Sequence, residues 1–125
     1  MRLTVIAAVG VGAMIGALLR LWAQRALNLS ALSPVGTLLV NIIGSFVLGV
    51  MSGGLAHKAG TAWYYAITAG FCGSLTTFSS ITMEVFKMIQ LLETLRAFAY
   101  LAFTIGLGML GFITGYWSGS KLLQL

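Results

Sequence analysis

Residues 70–82 read Gly70-Phe71-Cys72-Gly73-Ser74-Leu75-Thr76-Thr77-Phe78-Ser79-Ser80-Ile81-Thr82. Six of the nine residues from 74 to 82 carry hydroxyls, and glycines precede them. The surroundings are apolar, with no charged residue between 59 and 83. A helix from Thr61 to Leu92 would be about 48 Å long at roughly 1.5 Å per residue, well beyond the ~30 Å of a bilayer core. The hydroxyl-rich composition suits a break near 73–79. Non-helical backbone at mid-membrane is tolerated only where it is buried in protein or lines a cavity. Broken helices there leave free carbonyls and amides able to hold ions. A helix that is only kinked, with hydroxyls bonded back to their own carbonyls, is the alternative these residues leave open.

The whole chain sets this stretch in a membrane. Of 125 residues, 59% are hydrophobic and 7% charged, far below the ~25% charged of soluble domains. Disorder is excluded because it needs low hydrophobicity and high charge. One cysteine, Cys72, and one histidine, His57, exclude disulfide scaffolds and zinc modules. The charges leave clear stretches at 3–19, 26–57, 59–83 and 97–120. Spans of about 20 apolar residues then predict an all-α membrane domain over 1–125 with four helices, at about 3–26, 34–57, 61–92 and 95–118. The first stretch lacks a small-residue cleavage site and reads as a span rather than a leader. Ser33-Pro34 predicts an N-cap followed by proline at the first helical position, and Thr61 a cap for the third helix. The net charge of +5 sits between the spans, which favours contact with lipid headgroups over nucleic acid.

Glycines spaced four apart, Gly12/Gly16, Gly49/Gly53 and Gly111/Gly115/Gly119, predict close helix packing. Two polar stripes add to the predicted break. Thr37, Asn41 and Ser45 recur every four residues on the second helix, and Tyr100 and Thr104 do so on the fourth, with Gly108 one turn on. An amide such as that of Asn41 must find partners inside the bundle, either another helix or a polar pathway. The lining offers hydroxyls, an amide and aromatic edges, with no carboxylate on the first, second or fourth helix. Hydroxyl and amide hydrogens donate, and ring edges carry positive potential. A cation pathway would show acidic rings, so this lining favours a small anion or a neutral donor-seeking solute. Glu84, two residues past Thr82, is the exception.

The strings Gly36-Thr37-Leu38-Leu39-Val40-Asn41-Ile42-Ile43-Gly44 and Gly70 to Ser79, with Gly16-Ala17-Leu18-Leu19-Arg20, resemble the fluoride channel family called Fluc or CrcB. The resemblance covers the chain in length, span count and motif order. It implies a multi-pass protein of a prokaryotic plasma (inner) membrane that exports cytoplasmic fluoride passively. It also implies an antiparallel, dual-topology homodimer with two pores. A structural sodium ion is implied at the dimer centre, held by the backbone carbonyls of Gly73 and Thr76. By position, Asn41, Phe78, Tyr100, Thr104, Thr77 and Ser79 fall on the fluoride pore. Arg20, Thr37 and Glu84 occupy other family positions. Ile81 stands where the family usually has a second phenylalanine, and Gly108 where a serine often completes the fourth-helix track.

Charge counting gives Arg2, Lys58 and Lys121 on one side, and Arg20, Arg25, Lys87 and Arg96 on the other. That near balance sets no orientation and agrees with insertion both ways. A small four-helix multidrug antiporter shares the length and dual insertion but looks to a carboxylate in its first helix, and residues 3–19 contain none. A non-transporting membrane scaffold would explain the glycines but not the polar stripes. An enzyme reading has little to stand on, since His57 lies at a helix end and Cys72 reads as a small buried residue.

Overall fold

A computed structural model describes residues 2–123. Three continuous helices are each long and apolar enough to cross a membrane: α1 (Leu3–Leu27), α2 (Val35–Gly54) and α6 (Thr94–Leu123). Between α2 and α6 the chain is helical in pieces. These are α3 (Ala62–Tyr65), a π-helical stretch (Ala66–Cys72), α4 (Gly73–Leu75) and α5 (Phe78–Gln90). The protein is all-helical apart from one short antiparallel pair, β1 (Asn28–Ser30) with β2 (Ser33–Pro34). It is a multi-pass membrane protein whose outer surface is studded with exposed Leu, Ile, Phe and Trp side chains. In water such a surface would be costly; in lipid it is the solvated face.

Helix packing follows the glycines. α2 lies along α6, and α1 lies along the π-helical stretch and α4. A Cβ on Gly49 would collide with the carbonyl of Phe112, and one on Gly115 with the carbonyl of Phe46. The α1 seam is built the same way: Gly12 abuts Ala66, Gly16 abuts Phe71, and Gly70 faces Val9. Lipid tails are as apolar as leucine, so helices gain contact in a bilayer mainly by close van der Waals approach. Glycine removes the side chain that would hold the backbones apart.

Several helix ends depart from the sequence-based expectations. α2 starts after Pro34, and Ser33 does not cap it; Ser33 and Pro34 are pinned in the β pair. The cap comes from eight residues upstream, where Asn28 Oδ1 accepts from the amides of Gly36 at 2.7 Å and Thr37 at 3.3 Å. α2 ends at Gly54, and a 3-10 turn (Ala56–Lys58) follows it. The Thr61 hydroxyl donates to the Lys58 carbonyl at 2.7 Å instead of capping α3. α5 stops at Gln90, where the Glu93 amide donates to the Met88 carbonyl and the Leu92 amide to the Ile89 carbonyl. That is a Schellman ending, with Leu92 at φ 62° in the position glycine usually fills. α6 runs on to Leu123, one turn past the expected end. The π-helical widening at 66–72 has no counterpart in the expectations.

Candidate functional site

The helix between the second and last spans is interrupted at two residues. Thr76 (φ −78°, ψ 153°) and Thr77 (φ −150°, ψ 120°) are extended between helical α4 and α5. Extended residues inside a helix strip hydrogen bonds from their neighbours, so the lost partners must be replaced. The Thr77 amide, which a continuous helix would give to the Gly73 carbonyl, donates to Asn41 Oδ1 at 2.7 Å. The Asn41 amide nitrogen in turn approaches the Thr77 carbonyl at 3.4 Å, a long contact beside the short one. The Ser80 amide, which would have gone to the Thr76 carbonyl, donates to Thr77 Oγ1 at 3.1 Å, so Thr77 is the N-cap of α5. The Ser79 and Ser80 hydroxyls lie 3.2 and 3.1 Å from the same Thr77 oxygen. The Thr76 hydroxyl bonds back to the Cys72 carbonyl at 2.9 Å.

The break leaves the carbonyls of residues 73 to 76 without their helical amides. For Gly73 and Thr76 the amide that would have reached them is captured by a side chain, that of Thr77 by Asn41 and that of Ser80 by Thr77. Gly73 is exposed, and a Cβ there would meet only the Thr68 carbonyl, at 3.9 Å. Here the glycine is not demanded by packing within the chain.

Beside the break runs an open groove of about 570 Å³ between α2, the broken segment and α6. Asn41, Ser45, Thr68, Thr76, Thr77 and Thr104 contribute its polar groups, and Phe78, Ile81 and Phe112 are among the apolar ones. Phe78, the first residue of α5, is 77% exposed on its rim. Ile81, one turn on, is buried, and packs with Met88, Ala97 and Tyr100 while also lining the groove. The buried Thr104 hydroxyl closes no hydrogen bond of good geometry, although it lies near enough to the Tyr100 hydroxyl to interact weakly with it.

At one end of the broken segment, Glu84 is buried and surrounded by donors. Its Oε1 accepts from the Thr37 hydroxyl at 2.6 Å and from Asn28 Nδ2 at 3.2 Å. Its Oε2 accepts from the Tyr100 hydroxyl at 2.7 Å. Thus Thr37 and Tyr100, from the two polar stripes, meet at this carboxyl group. Arg20 is placed apart: half-buried on α1, it forms no hydrogen bond or ion pair with another described residue. Two residues that sequence reasoning passed over join the cluster, Gln24 and Asn28. Gln24 Nε2 donates to Thr37 Oγ1 and Ser80 Oγ, both at 3.1 Å. The one available signal was a glutamine and an asparagine four apart at the end of an apolar helix, in step with Arg20 four residues before them.

Residues 7–116 match the family described as CrcB-like protein, Camphor Resistance (CrcB). The chain belongs to the CrcB family. Among its relatives, the "Fluoride-specific ion channel FluC" of Ignicoccus hospitalis is 32% identical over 117 residues, covering 93% of this chain and 95% of that one. That of Pyrococcus abyssi is 39% identical over 109 residues, covering 82% and 89%. A third, from Pseudomonas aeruginosa, is 44% identical over 89 residues, covering 68% and 69%.

Proposed function

We propose that this CrcB-family chain is a fluoride-selective passive channel of a prokaryotic plasma membrane, working as an antiparallel homodimer with two pores. Its relatives carry the name of a fluoride-specific channel. The observation that carries the reading is the groove, a membrane-embedded cleft whose buried Thr104 hydroxyl has no strong partner of its own. An unsatisfied polar group in hydrocarbon costs free energy. Donors aimed at a pathway offset that cost when an anion passes. Phe78 supports a second copy, because its exposed ring and the open side of the groove would be covered together. The broken segment then serves as a fourth crossing.

Fluoride enters cells as the weak acid HF and is trapped as the anion in the more neutral cytoplasm. A pore suffices for export, since an inside-negative potential contributes about 2.3 kcal/mol per charge per 100 mV. Asn41 and Thr104, which line the groove, replace water with donors, the Phe78 ring presents its positive edge, and Tyr100 stands behind Thr104 with its hydrogen given to Glu84. Thr77 and Ser79 hold the break that shapes this path.

The carbonyls at the break fit a sodium ion. Those of Gly73 and Thr76 have lost their helical amides to Asn41 and Thr77, as a hard cation with oxygen ligands requires. Two copies meeting at this exposed backbone would bring four such oxygens together. A bound sodium ion would supply a fixed positive charge between the pores and a clamp on the dimer. Exchanging sodium for a large organic cation should then loosen the dimer and lower flux, as read by cross-linking and efflux on one preparation; no change in either would remove the ion from the reading.

Purified protein in liposomes tests the function. Fluoride efflux without chloride efflux, driven by voltage alone, is the expected result. Efflux of neither ion would return the non-transporting scaffold, and leakage of both would mean selection by charge only.

A further inference from the structure

We infer that Asn28 and Gln24 are positioning residues for Glu84, acting through the Thr37 hydroxyl to fix the direction of the buried carboxyl group. This rests on the groove being the ion path. A threonine hydroxyl has one hydrogen and two lone pairs. In Thr37 the oxygen accepts from Gln24 Nε2 at 3.1 Å and from Asn28 Nδ2 at 3.2 Å. With both lone pairs taken, the single hydrogen is left for Glu84 Oε1, at 2.6 Å.

The orientation of the Asn28 amide is itself imposed. Its oxygen is held by the Gly36 and Thr37 amides at the start of α2, which turns its nitrogen toward Thr37 and Glu84. One side chain in the link after α1 therefore both caps α2 and orients two groups of the site. Gln24, one turn earlier, reaches Ser80, which lies one turn before Glu84 on α5. No cation forms an ion pair with Glu84 among the described residues. Tyr100 is the titratable side chain bonded to it, and Lys87 on the same helix is exposed. The carboxyl group is thus held by hydrogen bonds rather than by a counter-charge. Its second oxygen takes the only hydrogen of the Tyr100 hydroxyl. Where Glu84 points decides where that hydrogen points, one helical turn from Thr104. A shift at Asn28 is therefore felt in the groove although Asn28 does not line it.

Two substitutions separate positioning from capping. Asn28→Asp keeps the oxygen that caps α2 but replaces the donor to Thr37 and Glu84 with an acceptor and sets a second acid against Glu84. Gln24→Met, which adds no charge, is therefore the deciding variant. Gln24→Met removes the other donor and leaves the cap untouched. The chain has two glutamates, Glu84 and Glu93, so carboxyl-labelled glutamate gives two side-chain carbon resonances, with Glu93 as internal reference. In purified full-length protein, both substitutions should move the Glu84 resonance and leave Glu93 in place. Fluoride efflux should fall about tenfold or more in Asn28→Asp and severalfold in Gln24→Met, as expected from losing hydrogen bonds to a buried acidic group. Dimer content should stay at the wild-type level, and the unfolding midpoint should fall only modestly, by the loss of these hydrogen bonds. A Glu84 resonance unmoved in Gln24→Met overturns the proposal, and so does a moved resonance with unchanged efflux. If Asn28→Asp fails to fold, Gln24→Met decides by the same two readings. Failure of the wild-type protein to pass fluoride would sink the proposed function instead, and the resonance would still decide whether these amides orient Glu84.

Discussion

The seam between α2 and α6 and the break at Thr76–Thr77 solve the same problem by opposite means. Both must hold together in a solvent that offers neither a hydrophobic drive between helices nor hydrogen bonds to the backbone. Along the seam every backbone group is already bonded inside its helix, so cohesion comes from contact alone and glycine is the device. Gly49, Gly111, Gly115 and Gly119 each place their Cα against a carbonyl of the opposite helix. At the break the backbone bonds are missing, and side chains substitute for them: Asn41 takes the Thr77 amide and Thr77 takes that of Ser80. The seam tolerates no added volume. The break tolerates no lost acceptor.

The largest effect should come from filling the seam. Gly115→Leu would drive a side chain into the Phe46 carbonyl and the Val50 amide, which are backbone and cannot rotate away. Overpacking of this kind costs about 3 kcal/mol or more when backbones must separate. The expected outcome is loss of folded protein in detergent, read as a collapsed thermal transition. A variant with wild-type stability would mean that the helices separate freely there.

Next in size is removal of the acceptor at the break. Asn41→Leu keeps the branched shape of asparagine, with a bulkier end, but strands the buried Thr77 amide, at a cost of about 1–3 kcal/mol. Asn41→Asp retains an oxygen for that amide and places a negative charge in the groove. Leucine should therefore lower the unfolding midpoint, whereas aspartate should leave a folded dimer that passes no fluoride. Equal stability of the two variants would show that the Thr77 amide is satisfied without residue 41. Normal flux in the aspartate variant would take residue 41 out of the pathway.

The two regions were unequally legible. The seam could be read directly, because glycines at a spacing of four can face only one way on a helix. The break was legible as a place, since hydroxyls crowd residues 74–82, but not as a mechanism. Nothing local ties Asn41 to an amide 36 residues away, because that pairing exists only once α2 lies beside the broken segment. The same holds for Asn28. A cap is sought one residue before a helix, and the nearer Ser33 fits that rule; the β pair instead carries a side chain from eight residues back onto the helix start. Thr37, Tyr100 and Glu84 were each noted in the sequence, but their meeting at one carboxyl group is a product of three helices. The π-helical stretch had no signal at all, since its residues are ordinary helix formers for a membrane.

The smallest predicted effect sharpens the comparison most. Gly10 and Gly106 lie in α1 and α6 with nothing within 4 Å of an added Cβ. They resemble the seam glycines in every local respect: the same residue, in the same kind of helix, in the same apolar context. If glycine were kept in these helices for its own flexibility, alanine at either position would be felt. If it is kept only where backbones touch, Gly10→Ala should be neutral or raise stability by about 0.5 kcal/mol through the smaller entropy loss of alanine. Gly12→Ala, two residues away and abutting the Ala66 carbonyl, should instead destabilise. Comparing those two midpoints isolates contact from flexibility at nearly constant depth in the helix. Gly10 faces away from both the α1 seam and the groove, so a loss of stability at Gly10 would locate a contact outside the single chain. In the proposed dimer, the second copy would supply it.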